Sequence, residues 1–126
     1  MDFGETMIMG GSLGGETMII GAETGSAMLM PYLIRTKNNE KIPVKPPKFR
    51  IGKDPSFSDY CISDNPAVSR SHAYIVVEDG KYMIIDTNSK NHTYVDGNMI
   101  PINTPVEIMN GMKIRFGNED FEFRMM

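Results

Sequence analysis

The feature that most constrains this chain is a succession of short apolar segments, separated by residues that tolerate left-handed backbone, with no sustained helical periodicity. From residue 32 onward, strands are predicted over 32–36, 40–44, 49–52, 60–62, 73–78, 82–86, 93–95, 106–108, 113–116 and 121–124. Between them stand Lys37-Asn38-Asn39, Asp79-Gly80, Asp96-Gly97-Asn98, Asn110-Gly111 and Gly117-Asn118, all suited to tight turns. Pro43, Pro46 and Pro47 place the segment that carries them at a sheet edge or outside the ladder, because proline donates no hydrogen bond. Many short strands with regular turns predict an all-β, antiparallel sandwich.

Composition narrows the class further. At 126 residues, 40% hydrophobic and 23% charged, the chain has the make-up of one ordinary globular domain. No apolar run is long enough to cross a bilayer, and Met1-Asp2-Phe3-Gly4-Glu5 lacks the basic start of a signal peptide. The expected location is the cytoplasm, without membrane insertion. Cys61 is the single cysteine, so no intrachain disulfide or cysteine-based metal cluster forms; between Tyr60 and Ile62 it reads as a small strand residue. No metal site, cofactor or catalytic residue is expected. A basic excess of the kind that binds nucleic acid is also missing, since residues 31–126 balance 13 basic against 12 acidic side chains.

Residues 1–30 form a separate region with a different composition. They hold seven of the twelve glycines and six of the twelve methionines, together with Asp2, Glu5, Glu16 and Glu23 and no lysine or arginine. Glycine density makes ordering costly, so a flexible tail is expected before a domain over 31–126. Within the tail Gly4-Glu5-Thr6-Met7-Ile8-Met9-Gly10 returns eleven residues later as Gly15-Glu16-Thr17-Met18-Ile19-Ile20-Gly21. The repeat has three readings: a duplicated linear motif, low-complexity drift, or strands added to an edge of the domain.

Three loops hold the chemistry. Asn65 to Ala73 leads into the apolar run from Tyr74 to Val77, Ile51-Gly52-Lys53 lies upstream and Ser89-Lys90-Asn91-His92-Thr93 downstream. Ser69 and Ser71 offer hydroxyls, Lys53 and Lys90 ammonium groups, and Asn91 both a donor and an acceptor. If the loops meet at one end of a sandwich they make an anion site, completed by backbone N–H groups. Each residue also has a plainer use: Ser69 and Asn91 as turn residues, the lysines as solvated charges, His72 as a hydrogen-bonded structural histidine.

Order and spacing across these elements resemble the forkhead-associated (FHA) signature. Ile51-Gly52-Lys53, Val68-Ser69-Arg70-Ser71-His72-Ala73 and Ser89-Lys90-Asn91-His92-Thr93-Tyr94-Val95-Asp96-Gly97 carry the resemblance, which covers about residues 31–126. It implies a sandwich of about eleven strands that binds phosphothreonine peptides through loops at one end, without catalysis. On this resemblance Ser69 hydrogen-bonds the phosphate, Arg70 contributes mainly its backbone N–H, Lys53 and Lys90 add charge, and Asn91 holds the peptide backbone. Gly52, His72, Thr93 and Gly97 support the loops.

Two positions depart from the family pattern. Lys53 stands where arginine is usual, keeping the charge but not the planar fork. His92 replaces a glycine, which is expected to reshape its loop and bring a titratable group near the phosphate. The resemblance extends to small bacterial proteins with a threonine-containing N-terminal tail. Thr6 and Thr17 are then candidate phosphoacceptors for a Ser/Thr kinase, with Met9 and Ile20 as the apolar residues three positions on. The expected partner is a phosphothreonine-containing protein or the chain's own tail. The alternative is a phosphate-independent interaction domain of the same fold.

Overall fold

The computed structural model describes residues 30–125. The readings made for the tail, including the Glu-Thr repeat, Thr6 and Thr17, lie outside the described residues. The first hairpin joins β1 (Tyr32–Arg35) to β2 (Glu40–Pro43), and Asn39 takes the positive φ of 58° that the turn requires. β3 (Lys48–Gly52) follows, then a single 3-10 turn at Pro55–Phe57 and β4 (Tyr60–Cys61).

Two apolar, β-branched-rich runs set the next strands. β5 (Ala73–Glu78) and β6 (Lys81–Asp86) form a hairpin whose turn, Asp79-Gly80, has positive φ at both residues. β7 (Thr93–Val95) turns into β8 (Asn98–Met99) through Asp96-Gly97 in the same way. β9 (Val106–Ile108), β10 (Lys113–Phe116) and β11 (Glu119–Arg124) complete the chain.

Two sheets result. One has six strands in the order β2-β1-β11-β10-β7-β8, the other five in the order β4-β3-β5-β6-β9. The predicted sandwich is therefore present, with eleven strands among the described residues. The strand not anticipated is β8, where a turn was read through Asn98; only Asp96 and Gly97 turn, and Val95 already pairs with Asn98. Both β8 residues are exposed, so no apolar pattern announced it. Within the otherwise antiparallel strand pairs, β3 and β4 run parallel, pairing Ile51 with Tyr60 and Gly52 with Cys61. The proline-bearing β2 lies at a sheet edge, as expected.

The inward faces supply the core. Leu33, Ile51, Ile62, Ile75, Ile84, Ile114, Phe116, Phe121 and Phe123 are almost wholly buried. Phe116 meets Phe121 edge-on with centroids 5.4 Å apart, and Tyr82 leans on Phe123 across the sandwich at 5.6 Å. Such aromatic pairs add directional preference to the area they bury.

One charged cluster is sealed beside this core. Arg35 and Glu119 are each 6% exposed and pair at 2.9 Å, while Arg35 also reaches Asp64 at 2.8 Å and the Tyr60 hydroxyl at 3.2 Å. Hydrogen bonds from Arg35 and then Lys37 hold the Asp64 carboxyl at about 2, below its usual value. Asn65 donates to Glu119 at 2.8 Å and to the Asn118 side chain at 2.7 Å. The ion pair thus ties the start of the loop at residue 65 to the β10–β11 hairpin. Removing one partner of a buried pair strands the other. Arg35→Ala is expected to lower the unfolding free energy by about 3–5 kcal/mol in urea denaturation; a loss under about 1 kcal/mol would contradict this account.

Candidate functional site

The three chemical loops meet at one end of the sandwich because two strands are sewn together there by backbone contacts. At the end of β3, Gly52 lies so close to the second loop that a Cβ would stand 2.1 Å from the Arg70 carbonyl oxygen. Only glycine permits this approach. Just beyond it, Lys53 N donates to Ser69 O at 2.9 Å and Asp54 N to Arg70 O at 3.2 Å. The carbonyl of Lys53 lies 3.1 Å from the Cys61 Sγ, which fits Cys61 as a small strand residue.

His72 fixes the second loop from beneath. Its ring is fully buried and packs edge-on against Phe116, with centroids 5.6 Å apart. Nδ1 accepts from the Ser69 N–H at 3.0 Å, which leaves Nε2 protonated and donating to the His92 carbonyl 2.9 Å away. One neutral imidazole thereby joins the Ser69 loop, the Asn91 loop and the core. Gly117 N also donates to the His92 carbonyl at 2.9 Å, and a Cβ on Gly117 would meet Ala67 O at 2.7 Å.

The third loop is built on Asp86, which the sequence reading did not single out. This carboxylate is 1% exposed and accepts from the backbone N–H groups of Asn88 and Ser89 at 2.8 Å and from the hydroxyls of Ser89 and Thr93 at 2.6 Å. Burial opposes its ionisation, yet the hydrogen bonds from Ser89 and Thr93 outweigh that and keep its pKa below the ordinary value. Thr93 is fully buried, so its expected support of the loop rests on this bond. The available signal was positional: an aspartate ending an apolar strand, just before Thr87-Asn88-Ser89, is placed to fold a loop onto itself.

Above this framework Lys53, Ser69, Arg70, Lys90 and Asn91 line one cavity of about 650 Å³. Phe57, Pro66, Ala67, Val68, Ser71 and Asn88 complete the wall, which contains three cations and no carboxylate. Ser69 Oγ accepts from Lys90 N at 2.9 Å, so the hydroxyl proton remains available to another acceptor. Asn91 Nδ2 donates to Ala67 O at 2.9 Å, which orients its amide and leaves the side-chain carbonyl to accept. All five predicted contact residues are brought together; Gly52, His72 and Thr93 lie behind them.

Gly97 is not at the cavity. It serves the β7–β8 turn with φ of 83°. His92 is not among the residues that line the cavity. Its φ of 69° explains why glycine suits this place, and its carbonyl performs the structural work. The arrangement can bind a compact anion with charge, a hydroxyl donor and an amide, and Asn65, Phe57 and Asp86 are the residues that sequence reasoning missed.

The state of His72 has a consequence in pH. Burial depresses its pKa below the ordinary 6.5, so below that value the unfolded chain takes up a proton that the folded chain resists. Stability is expected to be full well above pH 6.5 and to fall progressively as pH drops below it. Urea titrations across this range check it, and His72→Gln should flatten the slope; an unchanged slope in the variant would assign it elsewhere.

Comparison with known proteins places this geometry. A family model described as the FHA domain matches residues 49–117, more than half of the chain. A structure of Mycobacterium tuberculosis EmbR in complex with a low affinity phosphopeptide is 29% identical, with TM-score 0.71, over 77% of this chain and 24% of that one. The chain therefore spans about a quarter of that relative. An FHA domain from Arabidopsis thaliana superposes with TM-score 0.74 at 20% identity, over 84% of this chain and 93% of that one. The N-terminal FHA domain of S. cerevisiae Rad53p, in complex with a phosphothreonine peptide, does so with TM-score 0.70 at 18% identity, over 78% and 94% of the two chains. A search of curated proteins returns no match. From β3 through β10 the sequence carries the signature and the strands carry the fold, and the chain belongs to the FHA family.

Proposed function

We propose that this chain is a non-catalytic module of cytoplasmic signalling that binds phosphothreonine peptides. The observation that carries the reading is the cavity itself: Lys53, Arg70 and Lys90 around it, no carboxylate in its wall, and a Ser69 hydroxyl whose oxygen already accepts from Lys90 N. A phosphate dianion supplies the acceptor which that hydroxyl lacks, and charge-assisted bonds of this kind are about twice as strong as neutral ones. Asn91, oriented by Ala67, holds the peptide backbone beside the phosphate. Arg70 adds its backbone N–H. Lys53 acts as a point charge and attracts the dianion without forking it.

Calorimetric titration separates this reading from a phosphate-independent one. The peptide Glu-pThr-Met-Ile-Ile is expected to bind and its unphosphorylated twin to bind undetectably. Ser69→Ala should weaken the phosphopeptide by about 1.5–3 kcal/mol, roughly ten-fold to more than a hundred-fold. Equal affinity for both peptides, or none for either, would replace the proposal with an interaction domain of the same fold.

The ligand also has a source in the chain itself. On this reading residues 1–30 are a tail joined to a domain over 31–126, and Thr6 or Thr17, once phosphorylated by a Ser/Thr kinase, occupies the cavity in the same or a second molecule. The repeated Glu-Thr unit with Met9 or Ile20 three residues on supports it, as does the gain in effective concentration from tethering. After kinase treatment the amide NMR signals of Ser69 and Asn91 should move in the wild type and move less in Thr17→Ala. Signals that stay in place in both would exclude the tail as ligand.

A further inference from the structure

The two sheets present different outer faces. On the six-stranded sheet the outward residues of β10 and β11 are charged and pair among themselves: Lys113 with Glu122 at 3.3 Å, Arg115 with Asp120 at 3.0 Å, and Arg124 with Glu122. On the five-stranded sheet the centre is apolar. Ile75 of β5 and Ile84 of β6 lie in the core, so the residues that alternate with them face outward: Tyr74, Val76 and Glu78 on β5, Lys81, Met83 and Ile85 on β6. By the same alternation Lys48 on β3 and Glu107 on β9 flank them. None of Tyr74, Val76, Met83 and Ile85 belongs to the core cluster. An apolar patch rimmed by polar residues is the form an interaction surface takes.

The strand register arranges the rim charges by sign. Lys48, Val76, Met83 and Glu107 stand in one row, because Lys48 pairs with Val76, Val76 with Met83 and Met83 with Glu107. A second row sets Tyr74 beside Ile85, and a third sets Glu78 beside Lys81. In both charged rows the signs on the β5 side are therefore opposite to those on the β6 side. Lys48 and Glu107 are three strand spacings apart, about 14 Å, too far to pair within one chain. Among the described residues neither they nor Glu78 and Lys81 form an ion pair. Arg50, also outward, is already held by Asp59 at 3.1 Å. Lys48 Nζ lies over the Tyr74 ring, 4.3 Å from its centroid, which keeps that cation at the border of the patch.

We infer that a second copy of the chain docks on this face, in a symmetric dimer whose two-fold axis runs along the strands between β5 and β6. A half-turn about that line lays one sheet on the other and reverses the strand order. Lys48 then meets Glu107 of the second copy and Glu78 meets Lys81, while Val76 meets Met83 and Tyr74 meets Ile85. An axis across the strands along the first row would set Lys48 on Lys48 and Glu107 on Glu107. Two-fold dimers need a patch that complements itself, and sheets packed with their strands aligned are a common arrangement. Because the axis runs along the strands, both anion cavities open at the same end of the pair. Docking of the faces is independent of what the cavities bind.

Sedimentation velocity on the full chain, from about 10 µM to 1 mM, is expected to show a monomer–dimer equilibrium with Kd on the order of 100 µM, the weak range of a small interface. Val76→Glu, at a half-buried position outside the core, should keep the chain monomeric throughout. Charge reversals test the axis, and decide alone if Val76→Glu fails to fold. Lys48→Glu sets two glutamates together and Glu107→Lys two lysines, so each should weaken the dimer roughly ten-fold. The double variant Lys48→Glu/Glu107→Lys, and an equimolar mixture of the two single variants, should recover it to within about two-fold. A wild type that stays monomeric to about 1 mM overturns the dimer. If its Val76 methyl signals are nonetheless shielded from a soluble paramagnetic probe, residues 1–30 cover the face in place of a second copy. A dimer that survives Val76→Glu overturns this face, and one indifferent to the charge reversals overturns the axis.

Discussion

The buried ring of His72 is the interaction on which the binding end depends. Its two nitrogens serve different loops, one accepting from Ser69 N–H and the other donating to the His92 carbonyl, and the ring packs edge-on with Phe116. Each contact uses a different property of imidazole: an acceptor, a donor and an aromatic edge. No other side chain offers all three at that size. Because the ring is neutral and packed, the loops above it inherit the rigidity of the core. Recognition residues are then held at the separation a ligand needs before it arrives, which lowers the ordering cost of binding.

Around the histidine, glycine and aspartate solve complementary problems. Gly52 allows two backbones to touch by having no side chain, and Asp86 folds a backbone by accepting from four donors at once. Further out, the Arg35–Glu119 pair reaches Asn65 and fixes where the Ser69 loop begins. The exposed side chains of the cavity are thus the outer layer of a structure whose specificity of shape is buried. Charge at the surface attracts an anion, but the hydrogen-bonded frame decides how close the attracting groups stand.

Much of this was legible in the sequence, for a reason that also explains the gaps. β5 (Ala73–Glu78) stands out as an apolar run, and β7 (Thr93–Val95) and β10 (Lys113–Phe116) turn alternate residues inward, so all three were readable to the residue. β8, with both residues exposed, has no pattern to read. Among site residues, Ser69, Lys90 and Asn91 stand out because polar groups cluster in a loop before a buried strand. Asp86 did not, because a burial that depends on partners in the next loop leaves no periodic trace. Phe57 was missed for the opposite reason: an aromatic residue in a sequence suggests core, and nothing local shows that a capped 3-10 turn will hold it outside. At His92 the sequence shows a polar ring, while the φ of 69° and the carbonyl that the fold uses leave no mark on the residue type.

The sheet edges carry a consequence of another kind. Among the described residues the four edge strands are β2, β8, β4 and β9, and none exceeds four residues. β2 also ends in Pro43, which donates no backbone hydrogen bond. Open edges invite neighbouring chains to add strands, and short or proline-blocked edges refuse them. Among the described residues, contact between copies along these edges therefore gains few backbone hydrogen bonds, whereas the cavity at the loops offers three cations to an acidic surface.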